Sequence, residues 1–158
     1  MPHNADLIEF VLAEAQENVK THIESLSILR AEANTTLSLL VTGGGAALGY
    51  GIKILEEAGN AKVIGGLFGI SIYLFGLCGL LLWKCLCADG VMPAHCEPNN
   101  LYHPDFDVLA IKEAELEQLQ GRCDFNRQKT ETIGDWLNLI RAFVFVVPLI
   151  FLAVWALV

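Results

Sequence analysis

Cys85-x-Cys87, His95-Cys96 and His103 form the one grouping in this chain with metal-ligand chemistry. Thiolates and imidazoles suit zinc, and four such ligands could close a tetrahedral site. Their spacing matches no zinc signature, however, and a C-x-C pair leaving a helix end is badly placed to chelate. Cysteines at the edge of an apolar helix, followed by a polar proline-rich loop, are the plainer reading. No metal is expected, and Cys85, Cys87, His95 and Cys96 stand only as the residues that would hold one. Together with His103, Asp105 and Asp107, Cys96 and His95 could also be imagined in catalysis. A nucleophile needs an adjacent base and a third group to orient that base, and the sequence establishes no such arrangement. The Gly43-Gly44-Gly45 triplet lacks the Lys-Ser/Thr that completes a nucleotide-phosphate loop. The sequence predicts no enzyme and no cofactor.

The elements that would position these residues are set by three apolar runs. No charge interrupts Ala33–Ile52, Val63–Trp83 or Ala142–Val158, which are 20, 21 and 17 residues long. A helix rising about 1.5 Å per residue crosses the ~30 Å hydrocarbon core with roughly 20 residues. The first two runs span as they stand. The third reaches that length with Trp136–Arg141, the Arg141 guanidinium reaching the interface. The expected architecture is an all-α membrane protein with three transmembrane helices, two of which continue into long amphipathic cytoplasmic helices that form a bundle. In order these are a cytoplasmic helix (1–32), a first span (33–55), an outer hairpin loop (56–62), a second span (63–84), a cytoplasmic proline-rich loop (85–104), a cytoplasmic helix (105–135) and a third span (136–158). None of the water-facing pieces reaches the ~50 residues with their own core that an independent domain needs, so one structural unit is expected.

Orientation follows from Lys and Arg near the spans. Lys20 and Arg30 precede the first span, and Lys84, Lys112, Arg122, Arg127, Lys129 and Arg141 lie between the second and the third. Only Lys53 and Lys62 fall on the other side. The N-terminus is therefore expected in the cytoplasm and the C-terminus outside, in a bacterial inner membrane. No cleaved leader is expected, because residues 1–32 carry six acids and lack a basic start followed by a short apolar core. The inner side also holds sixteen acids, so the chain's net charge of −8 lies there. Such a face repels nucleic-acid phosphates, and no nucleic acid is expected as a partner. Cys85, Cys87, Cys96 and Cys123 would sit on the reducing side.

Both cytoplasmic helices carry an apolar seam. Ile8, Leu12, Ala15, Val19, His22, Leu26, Leu29 and Ala33 follow steps of four and three, while Glu9, Glu14, Glu17, Lys20 and Glu24 lie off that line. With no helix breaker before Leu37, arm and first span are expected as one helix of about 50 residues. His22 on the stripe is read as a packing histidine. Leu109, Leu116, Leu119, Cys123, Asn126, Thr130, Ile133, Leu137 and Ile140 form a second seam that runs into the third span, with Gly121 and Gly134 as weak points. Asp105 or Asp107 would cap that helix, and Pro148 would kink the span. Trp83, Trp136, Arg141 and Trp155 are the expected interface anchors; Trp136 and Trp155 lie 19 residues apart, about 28 Å of helix. The loop between the second and third spans offers Glu97, Asn99, Asn100, Tyr102 and His103 as a recognition surface on a proline-stiffened backbone.

Ten of the fourteen glycines lie in the first two spans. Helices in lipid associate by close packing at small residues, because no hydrophobic force drives them together. Gly43, Gly44, Gly45, Gly49, Gly65, Gly69 and Gly76 are the expected helix-packing or oligomer contacts, led by the Gly45-x-x-x-Gly49 and Gly65-x-x-x-Gly69 pairs. No acid, base or histidine lies deep in a span, which disfavours a proton relay or ion-coupled transporter. A passive pore would be lined by Thr36, Ser38, Thr42 and Ser71.

A helical arm, a glycine-bearing two-span hairpin and a following long cytoplasmic helix give the chain a layout that resembles small bacterial multi-pass membrane proteins, in particular the SLATT-type effectors of antiphage systems. The resemblance is one of topology, over roughly residues 5–135, and Trp136–Val158 departs from it. It implies a protein that oligomerises and breaches or depolarises the inner membrane on a signal. The expected function is thus an oligomeric inner-membrane pore or membrane-perturbing effector of antiviral defence, gated by its cytoplasmic helices, with the lipid bilayer and further copies of itself as partners. The alternative is a non-conducting anchor or accessory subunit that recruits a soluble cytoplasmic protein through its acidic bundle.

Overall fold

The computed structural model describes residues 3–57, 59–87, 90–96 and 105–157. It is all-α, with no strand among the described residues. The helices are α1 (His3–Glu56), α2 (Ala61–Leu81) with a π-helical extension (Leu82–Leu86), α3 (Val108–Val144) and α4 (Val147–Leu157). The chain divides into two compact units, Met1–Leu29 with Asp89–Thr132, and Arg30–Ala88 with Ile133–Val158. We call them the charged unit and the apolar unit.

The heptad seams hold α1 and α3 as long unbroken helices. Along α1, Val19, Leu26, Ala33 and Leu40 recur every seven residues, and each is at most 3% exposed. On α3 the same period gives Leu119, Asn126, Ile133 and Ile140. Seven-residue spacing keeps one stripe of each helix facing a partner along its length. That burial carries the helix through Gly121 and Gly134, where intrinsic propensity alone would weaken it. The expected boundary at residue 32 is a change of surface chemistry within a continuous α1.

In the charged unit Val19, Leu119 and Ala94 form a buried cluster, flanked by Leu12, Ala15, Ile23 and Cys123. Lys112 pairs with Glu9 about two to three turns before Val19 and Leu119 meet, so the two helices run side by side in the same direction. The Asp107 carbonyl accepts the first helical bond, from Ile111 N–H at 3.1 Å, which puts Asp107 at the N-cap position.

The apolar unit contains a tight hairpin. Gly59 N–H donates to the Ile54 carbonyl at 2.9 Å, closing the end of α1, and Asn60 Oδ1 accepts from Lys62 N–H at 2.9 Å to start α2. Among the described residues two helices, α1 and α2, are long and apolar enough to cross a membrane; α3 and α4 pass the same test only when taken together as one span, bent by 44° at Phe145–Val146. The bend lies upstream of Pro148, for a definite reason. A proline ring clashes with the carbonyl four residues back, here Val144, which is the last residue of α3. Pro148 itself sits in the first turn of α4, where its missing N–H leaves nothing unpaired. Phe145 and Val146 N–H close the turn by donating to Ala142 and Phe143 carbonyls at 3.2 and 3.0 Å.

Candidate functional site

Nine glycines of α1 and α2 in the apolar unit fall into two sets. Gly43 and Gly44 of α1 lie against Leu74 and Phe75 of α2, and Gly51 lies against Leu67. Gly66 and Gly69 receive α4: a Cβ on Gly66 would lie 2.6 Å from Phe151 Cε2, and one on Gly69 would lie 2.9 Å from Val154 Cγ2. No side chain fits at either site without displacing a neighbour. The packing pair on α2 is thus Gly66 and Gly69, three residues apart, while Gly65 of the four-residue motif is half-buried. Spacings of three and four both align residues on a helix, and only the placement of Phe151 and Val154 chooses between them.

Gly45, Gly49, Gly76 and Gly79 form the second set, with nothing within 4 Å of where a Cβ would be. On α1, Ser38 and Thr42 are exposed on the same line as Gly45 and Gly49, at steps of four, three and four. The hydroxyl residues divide accordingly. Thr36 is 9% exposed and Ser71 1%, each turned inward and donating to a carbonyl of its own helix, Glu32 and Leu67, at 2.9 Å. Ser38 and Thr42 face outward and Thr36 and Ser71 do not, so the four candidate pore-lining residues share no surface.

Aromatic and basic side chains gather at the ends of the apolar segments. The π-helical extension carries Lys84, whose Nζ lies 4.2 Å from the Trp83 ring centre and 5.0 Å from that of Trp136. The indole faces offer the ammonium a favourable quadrupole. The same widened turn buries Cys85, whose thiol donates to the Ile133 carbonyl at 3.9 Å. Lys62 lies 5.8 Å from the Trp155 ring. Arg141 Nη2 donates to Glu32 Oε2 at 2.9 Å, and the Tyr73 hydroxyl donates to the Phe143 carbonyl at 3.0 Å.

The charged unit holds a feature that the sequence reading missed. Arg122, Asn126 and Lys129, on one face of α3 at steps of four and three, clamp the segment 90–96. Asn126 is fully buried and takes both backbone groups of Met92, accepting its N–H at 3.2 Å and donating to its carbonyl at 3.0 Å. Lys129 donates to the Gly90 carbonyl at 2.8 Å. Arg122 reaches the Pro93 carbonyl at 3.4 Å and the Cys96 sulfur at 2.7 Å. The signal was a lone Asn in an apolar seam, which marks a place where a buried amide must find partners.

Cys96 is thus held by Arg122, and its thiol also points to Gln118 Oε1 at 3.6 Å, while Cys87 is exposed. Among the described residues no three of His, Cys, Asp and Glu come together as a metal-ligand set. The recognition residues Glu97, Asn99, Asn100, Tyr102 and His103 lie outside the described residues. The chain matches no protein family, no curated protein and no solved structure.

Proposed function

We propose that the chain is a three-pass membrane protein that assembles, through the outward stripe of α1, into a pore or a membrane-perturbing oligomer. The observation that carries this reading is the open space at Gly45 and Gly49, in line with exposed Ser38 and Thr42. Packing within one chain accounts for Gly43, Gly44, Gly51, Gly66 and Gly69, and it leaves this stripe without a role. In lipid, a line of glycines and hydroxyls lets a second helix approach closely and hydrogen-bond across the contact. Lined toward water instead, the same residues give a narrow passage without a fixed charge. The heptad seams of α1 and α3 leave the charged unit for the apolar one without interruption, which suits gating by the extramembrane helices. The lysine and arginine distribution supports an N-terminus inside, and the SLATT-like layout supports a bacterial inner membrane and antiviral defence as the setting.

Native mass spectrometry of the nanodisc-embedded protein tests this. A single closed oligomer of four or more chains is expected, conducting ions in liposomes, with Gly45→Leu reduced to monomers that keep the parent melting temperature. A monomeric or dimeric parent would overturn it. One observation favours the accessory-subunit reading: a groove of about 500 Å³ in the charged unit is lined by Val11, Ala15 and Leu116 together with Glu14, Glu113 and Glu117. A lining that mixes apolar side chains with carboxylates fits a basic amphipathic helix. Stoichiometric co-purification of such a partner, without conductance, would favour that reading.

A further inference from the structure

A groove of about 610 Å³ opens in the apolar unit, within the ~300–1,000 Å³ range of small-molecule pockets. Its walls are largely apolar, formed by Leu40 and Gly43 of α1, Leu74 of α2, and Val147 beyond the break that Pro148 imposes, with Thr35 and Thr36 also lining it. Its charges are Glu32 and Arg141, bonded to each other at 2.9 Å and each a little under half exposed. Eleven residues separate Glu32 from Gly43 on a continuous helix, so the groove descends roughly 16 Å from the ion pair. The groove therefore has a charged mouth at the edge of the apolar helices and a long hydrocarbon-like wall below it.

We propose that this groove holds one acyl chain of a phosphatidylethanolamine whose headgroup sits on the Glu32–Arg141 pair. The inference rests on the reading that α1, α2 and the α3–α4 pair lie in a bilayer. There, an open apolar groove is filled by lipid hydrocarbon, and the mouth decides which lipid stays. A guanidinium takes two phosphate oxygens at once. The neighbouring carboxylate accepts from a primary ammonium two carbons beyond that phosphate. Because the pair is neutral as a whole, it offers an anionic headgroup no net attraction, and phosphatidylglycerol has no ammonium to offset the repulsion between Glu32 and its phosphate. A quaternary ammonium has no N–H to donate to Glu32, so phosphatidylcholine forfeits that bond. Charge complementarity thus selects a zwitterionic headgroup with a primary amine.

The test is native mass spectrometry of the full chain, delipidated in mild detergent and titrated with palmitoyl-oleoyl phosphatidylethanolamine, phosphatidylglycerol or phosphatidylcholine. One phosphatidylethanolamine is expected to remain bound at a concentration at least tenfold below either other lipid. Glu32→Gln is expected to lose the preference over phosphatidylcholine, and Arg141→Ala to weaken all three. Gly43→Phe, which fills the groove, is expected to release lipid altogether. The two headgroup variants alter half-exposed side chains, so they keep the test open if Gly43→Phe fails to fold. Equal retention of the three lipids, or full preference in Glu32→Gln, would overturn the proposal. So would a Gly43→Phe variant that dissociates a dimer and still binds lipid, since the groove would then be a contact between copies of the chain. A chain that stays monodisperse after detergent removal would instead overturn the membrane reading itself.

Discussion

The charged unit and the apolar unit are built on the same two long helices and share their buried seam, yet what packs around that seam differs. In the first, Val19 and Leu119 are fully buried, the surface carries the Glu9–Lys112 and Asp124–Arg127 pairs, and a buried amide ties down a loop. In the second, the close contacts are glycine against Leu, Phe and Val, while Leu39, Ile72, Trp83, Phe145 and Leu149 point outward, with Phe145 84% exposed. Water rewards the removal of large apolar side chains from the surface, so large residues belong inside a unit bathed in it. Hydrocarbon offers no such reward, and small residues that let backbones approach become the packing code. Adjacent stretches of one helix thus carry different surfaces, one suited to water and the other to hydrocarbon.

That contrast can be broken most directly at Leu119. Leu119→Ala should cost about 2–5 kcal/mol, read as an earlier transition of the charged unit in urea titration of the detergent-solubilised chain. The apolar unit, followed by Trp155 fluorescence, should unfold where it did before; a shared shift would show that the two units are one cooperative block. Asn126→Ala comes next, because Met92 N–H and C=O lose their partner, at about 0.5–1.5 kcal/mol for each of these two part-buried bonds. Amide hydrogen exchange at 90–96 should accelerate while α1 exchange stays slow. In the apolar unit Gly66→Leu should lower the melting temperature by an overpacking cost of about 1–3 kcal/mol. Gly45→Leu, with open space around it, should leave melting unchanged. If both variants melt alike, the two glycine sets are not distinct.

The smallest effect belongs to Glu9. Hydrogen bonding to Lys112, with the attraction of its charge, holds the Glu9 carboxyl below the ordinary 4.5. A lowered folded-state pKa contributes stability that is present above the unfolded value and is lost as pH falls through the folded one. Glu9→Gln should therefore make the acid loss of stability shallower below about pH 4.5, a difference that salt erases because the pair is exposed.

Periodicity made the two seams legible: Val19, Leu26 and Ala33 on α1, and Leu119, Asn126, Ile133 and Ile140 on α3, are buried on the lines that their spacing defines. Apolar run length likewise marked the helices able to cross a membrane, and the proline marked a bend, displaced to the carbonyl that its ring contacts. Gly66 was not legible, because one glycine among the ten in the first two spans differs from the others only by the side chain that lands on it. The clamp on 90–96 escaped for a related reason, since Asn126 and Met92 are 34 residues apart and only their meeting gives either a role.

The amino-acid sequence by itself determined which segments are helical, which face of each long helix is buried, and which stretches suit lipid. Those properties depend on residues a few positions apart, and helix geometry converts such spacing into faces directly. Which glycines are filled and which are open, which hydroxyls turn inward, and the joining of Glu32 to Arg141 at the mouth of an apolar groove were decided by the tertiary structure alone. Each depends on residues distant in the chain, and a contact between helices selects one partner from several equally spaced candidates only when the helices are packed.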